Sequence, residues 1–160
     1  MSLKASSRTA RHANAVEVRE ASAADADSIG QLLHDFNVEY DEETPGPAAI
    51  ARRVRELLET GDTVVLLCGE GPDGLAILRF RPSIWTAGDE CYLAELYVKP
   101  ELRGQGRGRA LMEAVLATAR TRGADYIDLN TEEDDTAARA LYESAGFANT
   151  AYYYELDLRS

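Results

Sequence analysis

Apolar residues in the first third of the chain recur every three or four positions, which is the spacing of one buried helical face. The first such run follows Ser22, which with Asp25 resembles a capping box at a helix start. The second starts at Pro47, a residue that suits a first helical turn, and ends at Gly61. Before both, the alternation from Val16 to Arg19 predicts a short strand. The two apolar stripes are Ile29, Leu32, Leu33 and Phe36, and then Ile50, Val54, Leu57 and Leu58.

From residue 63 onward the pattern changes to strands separated by short turns. Three strands are predicted at Thr63–Cys68, Leu75–Arg81 and Cys91–Val98, and their short connections favour an antiparallel meander. The remaining predicted elements are a helix after the glycine-rich stretch Arg103–Gly108, a strand at Tyr126–Asn130, a helix at Thr136–Ala145 and a last strand at Ala151–Leu158. The predicted order is βααβββαβαβ, an α/β (α+β) domain whose mixed, mostly antiparallel central sheet is flanked by helices.

Length and composition fit a single domain. A chain of 160 residues with 45% hydrophobic content can bury one core of useful size. Residues 1–15 are small and polar, so we expect a flexible N-terminal tail followed by one domain at 16–160. The sequence shows neither an apolar run of bilayer length nor the apolar middle of a signal peptide, and we therefore expect a cytoplasmic protein.

Charge and cysteine usage narrow the range of partners. The formal net charge of −11 argues against nucleic acid or a membrane surface as a partner, because their phosphates would be repelled. Cys68 and Cys91 lie inside apolar strands, and His12 and His34 are far from them in sequence. These spacings do not match a metal site, so we expect buried, reduced thiols and no metal.

The stretch from Leu96 to Arg109 runs from strand through a glycine-rich loop into a helix. Glycines let backbone N–H groups converge on an anion, and the following helix adds its positive end, which predicts a phosphate or pyrophosphate ligand. The local charge of residues 99–109 is +3 in an otherwise acidic chain. A P-loop would need Lys followed by Ser or Thr, and a dinucleotide fingerprint would need glycine at Arg109, so neither fits. Glycines that serve only the turn are the plainer alternative.

Two motifs carry a resemblance to a known family. A strand ending in Leu96-Tyr97-Val98 leads into Arg103-x-x-Gly106-x-Gly108, which resembles the acyl-CoA loop of the GNAT superfamily of N-acetyltransferases. The later helix carries Asp135-x-x-Ala138-x-x-Leu141-Tyr142-x-x-x-Gly146-Phe147, which resembles the motif that follows in this superfamily and usually begins with Asn. The resemblance implies a GNAT-like fold and transfer of the acetyl group of acetyl-CoA to a primary amine by direct attack. The cofactor-binding residues that it implies are Leu96, Tyr97, Val98, Arg103, Gly104, Gln105, Gly106, Arg107, Gly108, Arg109 and Asp135.

Within this resemblance, Tyr142 is the candidate general acid that protonates the departing CoA thiolate. Its alternative is a packing role on the helix stripe. A backbone N–H near Val98 is the expected oxyanion donor, because in this fold the strand splays from its neighbour and leaves main-chain groups unpaired. Asp135 can cap the helix as the usual Asn does, but it lacks the amide donor.

Glu95 is the candidate base, because an alkylammonium must lose a proton before it can attack. Family members with a base on this strand often carry a carboxylate where Ala94 stands. Strand alternation places Ala94 with Leu96 and Val98, and Glu95 with Tyr97 on the other face, so a bulge is needed to turn Glu95 inward. A water chain or Glu90 are the alternatives.

The acceptor and the rival function stay open. The acidic runs Glu39–Glu43 and Glu132–Asp135 favour a cationic amine, small molecule or peptide, or else are solvated surface. Tyr152, Tyr153 and Tyr154 either line the site or form a homodimer contact. The alternative to an enzyme is a catalytically weak or inactive acyl-CoA-binding regulatory or interaction protein, which the absence of a carboxylate at Ala94 and the Asp at position 135 suggest.

Overall fold

The computed structural model describes residues 15–159, so most of the predicted N-terminal tail lies outside the described residues. Five strands form one sheet in the order β1-β2-β3-β4-β5, in which the first four are antiparallel to their neighbours and β5 is parallel to β4. The strands are β1 (Val18–Glu20), β2 (Thr63–Cys68), β3 (Gly74–Pro82), β4 (Asp89–Val98) and β5 (Ala124–Asp128). The helices are α1 (Ala26–Glu39), α2 (Pro47–Glu59), α3 (Arg107–Thr121) and α4 (Thr136–Ser144). The mixed sheet and the α/β class confirm the sequence prediction.

Helices α1 and α2 pack closely because their contact contains a glycine. A Cβ at Gly30 would lie 2.4 Å from the carbonyl oxygen of Pro47, so only glycine permits this approach.

The start of α1 is held by Asp25. Its carboxylate accepts hydrogen bonds from the Ser22 N–H at 2.9 Å and from both terminal nitrogens of Arg19. The Arg19 guanidinium, with the Ser22 N–H, lowers the pKa of Asp25 to about 2.

The sheet carries a separate apolar core on each face. One face is covered by α1 and α2, and the other by α3 and part of α4. The predicted stripe residues Ile29 and Leu32 are buried in the first core, and Leu111 and Val115 of α3 are buried in the second. Burying each such side chain contributes roughly 1.5 to 3 kcal/mol. Cys68 and Cys91 are buried free thiols, as predicted, and burial raises the pKa of each to about 11.

A bulge divides β4 into two halves that are out of phase. Leu93 pairs with Leu78 and Glu95 pairs with Ile77, so Ala94 has no partner on β3. The prediction that Ala94 shares a face with Leu96 and Val98 is therefore wrong, because Ala94 packs against the α1–α2 core. The bulge leaves Glu95 on the same face as Tyr92 and Tyr97, since their partners on β3 are alternate residues.

The predicted last strand, Ala151–Leu158, is wrong, because this segment is not in a strand and its side chains are exposed. An alternating pattern forms a strand only where a neighbouring edge supplies hydrogen bonds and a core covers one face. The strand β5 offers little of either, since it has five residues, only partly buried. Its predicted range, Tyr126–Asn130, is also displaced by two residues from the observed one.

Candidate active site

The sheet opens between β4 and β5. Their pairing ends at Tyr92 and Asp128, whereas β4 continues to Val98. Within the described residues, the β5-facing backbone of residues 93–98 therefore has no strand partner. This is the predicted splay. Apart from the Val98 carbonyl, which accepts from Arg103 Nε, it leaves main-chain donors and acceptors able to bind an amide-containing ligand.

The glycine-rich loop presents a row of free N–H groups at the start of α3. Gly104 and Gly106 have φ angles of 71° and 87°, which favour glycine, and an added Cβ would meet nothing within 4 Å at either position. The first helical bond runs from the Ala110 N–H to the Gly106 carbonyl at 3.0 Å. In the described part of the chain, the N–H groups of residues 104–109 have no acceptor, and the helix dipole adds to their positive field. This loop is built to receive an anion.

Two arginines assigned to the ligand are already engaged within the protein. Arg103 forms a two-pronged ion pair with Glu39 at 2.7 and 2.8 Å and donates from Nε to the Val98 carbonyl at 2.9 Å. Arg107 donates to Asp73 at 2.9 Å. Counting Glu39 and Asp73 lowers the local charge from +3 to +1. The assignment of Arg103 and Arg107 to the ligand stays a prediction, and the free backbone N–H groups are the part of the loop that is open to an anion.

The other predicted loop residues differ in exposure. Arg109 is exposed beside Glu113, with 3.5 Å between Nε and Oε1, and its side chain is free to reach a ligand. Gln105 accepts from Arg107 at 3.1 Å and closes the loop. Leu96 packs against the core on the α3 face and Val98 is buried there, so both can offer a ligand only their backbone.

The helix α4 closes the opposite side of the opening. Asp135 accepts the Ala138 N–H at 3.0 Å, which confirms its predicted capping role. A Cβ at Gly108 would lie 3.4 Å from Cδ2 of Leu141, so α3 and α4 are close at this point. Tyr142 is partly buried beside Phe147, with ring centroids 6.1 Å apart. Burial, with the charges of Asp135 and Glu95, raises the pKa of Tyr142 to about 12.

Glu95 is a partly buried carboxyl with no hydrogen-bond or ion-pair partner among the described residues. Burial raises its pKa, which is the direction a general base needs in order to work nearer neutral pH. Its charge contributes to the raised pKa values of Tyr142 and Tyr92, so these groups lie within electrostatic range of one another. Glu90, the alternative base, is held by Arg81 at 2.5 Å, and this contact lowers its pKa. The structure favours Glu95 over Glu90.

A network that the sequence did not reveal joins α1 to the loop. The ring of Tyr97 stacks on Phe36 with centroids 4.8 Å apart, and Arg103 lies 5.6 Å from the centre of the Tyr97 ring. Arg103 is the chief cause of the lowered pKa of Glu39. Burial, followed by the charge of Glu39, raises the pKa of Tyr97 to about 12. The acidic run is apparent in the sequence, but only the fold shows that Glu39 forms an ion pair with Arg103 and so connects α1 to the loop.

Two concave regions adjoin these residues. A cleft of about 620 Å³ lies along the exposed face of the sheet beside β4 and β5, and Tyr92, Asp128, Asn130 and Tyr153 are among its lining residues. A shallower depression of about 460 Å³ lies beside Glu39 and Tyr97. Tyr153 thus lines a cleft, whereas Tyr152 and Tyr154 are almost fully exposed. The homodimer contact stays a prediction.

The described residues include no cluster of three or more side chains suited to a metal ion. Across residues 15–159, no helix has the length and apolar character needed to cross a bilayer. The cytoplasmic location stays a prediction.

The splayed sheet, the N–H cradle at the start of α3 and the side chains of Glu95 and Tyr142 lie around one opening of the sheet. The sequence model of the acetyltransferase (GNAT) family matches residues 27–147. The chain therefore belongs to the acetyltransferase (GNAT) family, as its two motifs indicated.

Relatives of similar length agree with this membership. A thialysine N-epsilon-acetyltransferase of Bos taurus is 30% identical over 82% of this chain and 83% of its own. An aminoglycoside N(6')-acetyltransferase type 1 of Stenotrophomonas maltophilia is 29% identical over 91% of this chain and 96% of its own. A solved structure from Arthrobacter sp. FB24, assigned as an acetyltransferase, is 44% identical, with a TM-score of 0.81 over 90% of this chain and 98% of that one.

The match to a mycothiol acetyltransferase of Beutenbergia cavernae is 38% identical but shorter, and covers 44% of this chain. The chain spans about a quarter of the length of that relative (25%).

Proposed function

We propose that the protein is an N-acetyltransferase that moves the acetyl group of acetyl-CoA to a primary amine by direct attack. The observation that carries this proposal is the coincidence of three features at one opening of the sheet. They are the free N–H row of residues 104–109, the unpaired backbone of residues 93–98, and the pair Glu95 and Tyr142.

Acetyl-CoA fits the residues that surround the opening. The N–H row and the start of α3 suit its pyrophosphate, because open space above Gly104 and Gly106 lets an anion reach the backbone. The β4 backbone without a strand partner suits the amides of the pantetheine arm. A β4 N–H near Val98 then donates to the carbonyl oxygen as it gains charge, and such a donor contributes roughly 10²- to 10³-fold in rate.

Proton movement is assigned to the two side chains. Glu95, which has no partner among the described residues, accepts a proton from the amine as nitrogen attacks the thioester carbon, directly or through water. Such a base contributes about 10²- to 10⁴-fold in rate. The C–S bond then breaks, and Tyr142 donates its phenolic proton or a hydrogen bond to the leaving sulfur. The raised pKa of Tyr142 keeps its proton in place at neutral pH.

The acceptor is proposed to be cationic in its resting form. The net charge of −11 attracts cations, and the names of two relatives specify amine acceptors, an aminoglycoside and thialysine. No phosphate-rich partner is proposed, because the net charge of −11 would repel it.

The test is thiol release from acetyl-CoA with a panel of monoamines, diamines, aminoglycosides and peptide N-termini. We expect release with at least one acceptor, and Glu95→Gln should reduce it about 10²-fold or more. The matched control is Glu20→Gln, which removes the same charge at the opposite edge of the sheet and should leave turnover unchanged. Binding of acetyl-CoA by calorimetry without thiol release for any amine would instead support the inactive acyl-CoA-binding protein.

A further inference from the structure

The 620 Å³ cleft extends beyond the reacting groups along one face of the sheet. Glu95 and Tyr92 share that face because of the bulge, and Tyr92 pairs with Asp128 across the β4–β5 register. Tyr153 closes the outer wall of the cleft. Glu95 does not line the cleft itself, but it lies on the same face of β4 as Tyr92, three positions away. An acceptor whose nitrogen lies at Glu95 can therefore extend along this face past Tyr92 toward the end of β5.

Charged side chains of both signs line this groove. Arg81 is paired with Glu90 at 2.5 Å, and Arg79 faces Asp62, whose pKa it helps to lower after the Thr60 hydroxyl. Among the described charged residues that line the cleft, Asp62, Arg79 and Asp128 form no ion pair. The lining carries a net charge of −1, which Asp128 supplies once Arg79 is counted against Asp62.

The surroundings of Asp128 suit an ammonium group. The Tyr92 hydroxyl is bonded to Asn130, which holds its ring in place beside Asp128. A carboxylate that lines a cleft together with aromatic rings attracts a cation through its charge, and the faces of the rings add to this attraction. The chemistry at this end of the groove is therefore that of a cation subsite rather than of an apolar pocket.

We propose that Asp128, with the rings of Tyr92 and Tyr153, binds a second ammonium group of the acceptor, so that diamines are preferred over monoamines. This inference rests on the proposed acetyl transfer at Glu95. The distance follows from strand geometry: three positions along β4, one of them bulged, and one step across to β5 amount to roughly 10 Å. Extended diamines with six to eight methylene groups span about 9 to 11 Å between nitrogens, from bond lengths near 1.5 Å.

The experiment compares kcat and KM for hexylamine with those for diamines from diaminopropane to diaminooctane. We expect the wild-type protein to favour diaminohexane to diaminooctane over hexylamine by about 5- to 10-fold in kcat/KM, from one exposed ion pair and one cation–π contact. Asp128→Asn should remove this preference through KM, and leave kcat/KM for hexylamine unchanged. Glu20→Gln is the control, because it lowers the net negative charge equally.

Two variants of Tyr153 distinguish the contribution of its ring from that of its hydroxyl. Tyr153→Phe should keep the preference for long diamines, and Tyr153→Leu should weaken it. The inference is overturned if Asp128→Asn and Glu20→Gln act alike, or if the wild-type protein does not distinguish diamines from hexylamine while acetylating both. If no amine is acetylated at all, the proposed function fails first, and the cation subsite has no substrate to select.

Discussion

Replacing Tyr142 by Phe tests the chemistry at the leaving sulfur without disturbing the fold. The ring stays, so its contact with Phe147 and its partial burial against the α3 core are kept. In the described part of the structure the hydroxyl has no hydrogen-bond partner, so its removal leaves no buried group unsatisfied. We therefore expect the free energy of unfolding to change by less than about 0.5 kcal/mol.

The size of the catalytic effect follows from the pKa of about 12. A cysteine-type thiol titrates near 8.5, so Tyr142 holds its proton roughly three to four pH units more tightly than the sulfur would. Complete transfer would then cost about 5 kcal/mol, which favours hydrogen-bond donation while charge develops on sulfur. The expected loss in kcat is accordingly about 10²-fold, the lower end of the range for acid catalysis.

The assay is thiol release under saturating acetyl-CoA and amine, with a single-turnover measurement to establish that chemistry limits kcat. The dissociation constant for acetyl-CoA, measured by calorimetry, should stay within about twofold of wild type, because the N–H row that is proposed to hold the pyrophosphate is unchanged. An unchanged kcat, with chemistry limiting, would remove Tyr142 from the acid role. A large loss of stability would show that the hydroxyl is structural.

Three further predictions concern Glu95, Gly108 and the Glu39–Arg103 ion pair. For Glu95→Gln, turnover falls about 10²-fold or more, but urea unfolding at pH 7 shows equal or higher stability, because burial penalises only the charged carboxylate. The sign follows from its raised pKa: relative to Gln, wild-type stability is highest below about pH 4.5 and falls as pH rises through the folded-state pKa, so a wild-type advantage at pH 7 contradicts this reasoning. Gly108→Asp weakens acetyl-CoA binding by about tenfold or more in calorimetry, since it crowds Leu141 and repels phosphate; unchanged affinity would refute the loop assignment. A double-mutant cycle with Glu39→Gln and Arg103→Gln yields a coupling of about 1 kcal/mol in urea unfolding, and additive effects would show that the ion pair contributes nothing.

The sequence predicted most of the fold because local signals and packing agree there. Ile29 and Leu32 recur at helical spacing, and both are buried on one face of α1. The predicted strand Thr63–Cys68 has the same bounds as the observed β2. Ala151–Leu158 shows where such reasoning stops. Its alternation is as regular as that of a strand, but a strand depends on a partner edge, and edges are set by the whole topology.

The candidate site was predictable in its backbone and less so in its side chains. Glycines at positions 104 and 106 are typical of a loop that needs positive φ angles, and both residues have positive φ angles in the structure. The partner of Arg103 is Glu39, 64 residues away, and no local pattern specifies such a pair. A cation beside glycines suggests a phosphate ligand, but the same guanidinium can equally serve to anchor the loop to a helix.

Because of the bulge at Ala94, the face on which Glu95 lies depends on the number of residues in β4 as well as on their types. Tyr92 and Glu95 are an odd number of residues apart and still share a face, which strict alternation forbids. Deleting Ala94 would remove none of the proposed catalytic side chains. It would nevertheless move the side chains on one side of the bulge to the opposite face of the sheet. Insertions and deletions along β4 are therefore a route to new selectivity that substitution scanning would overlook.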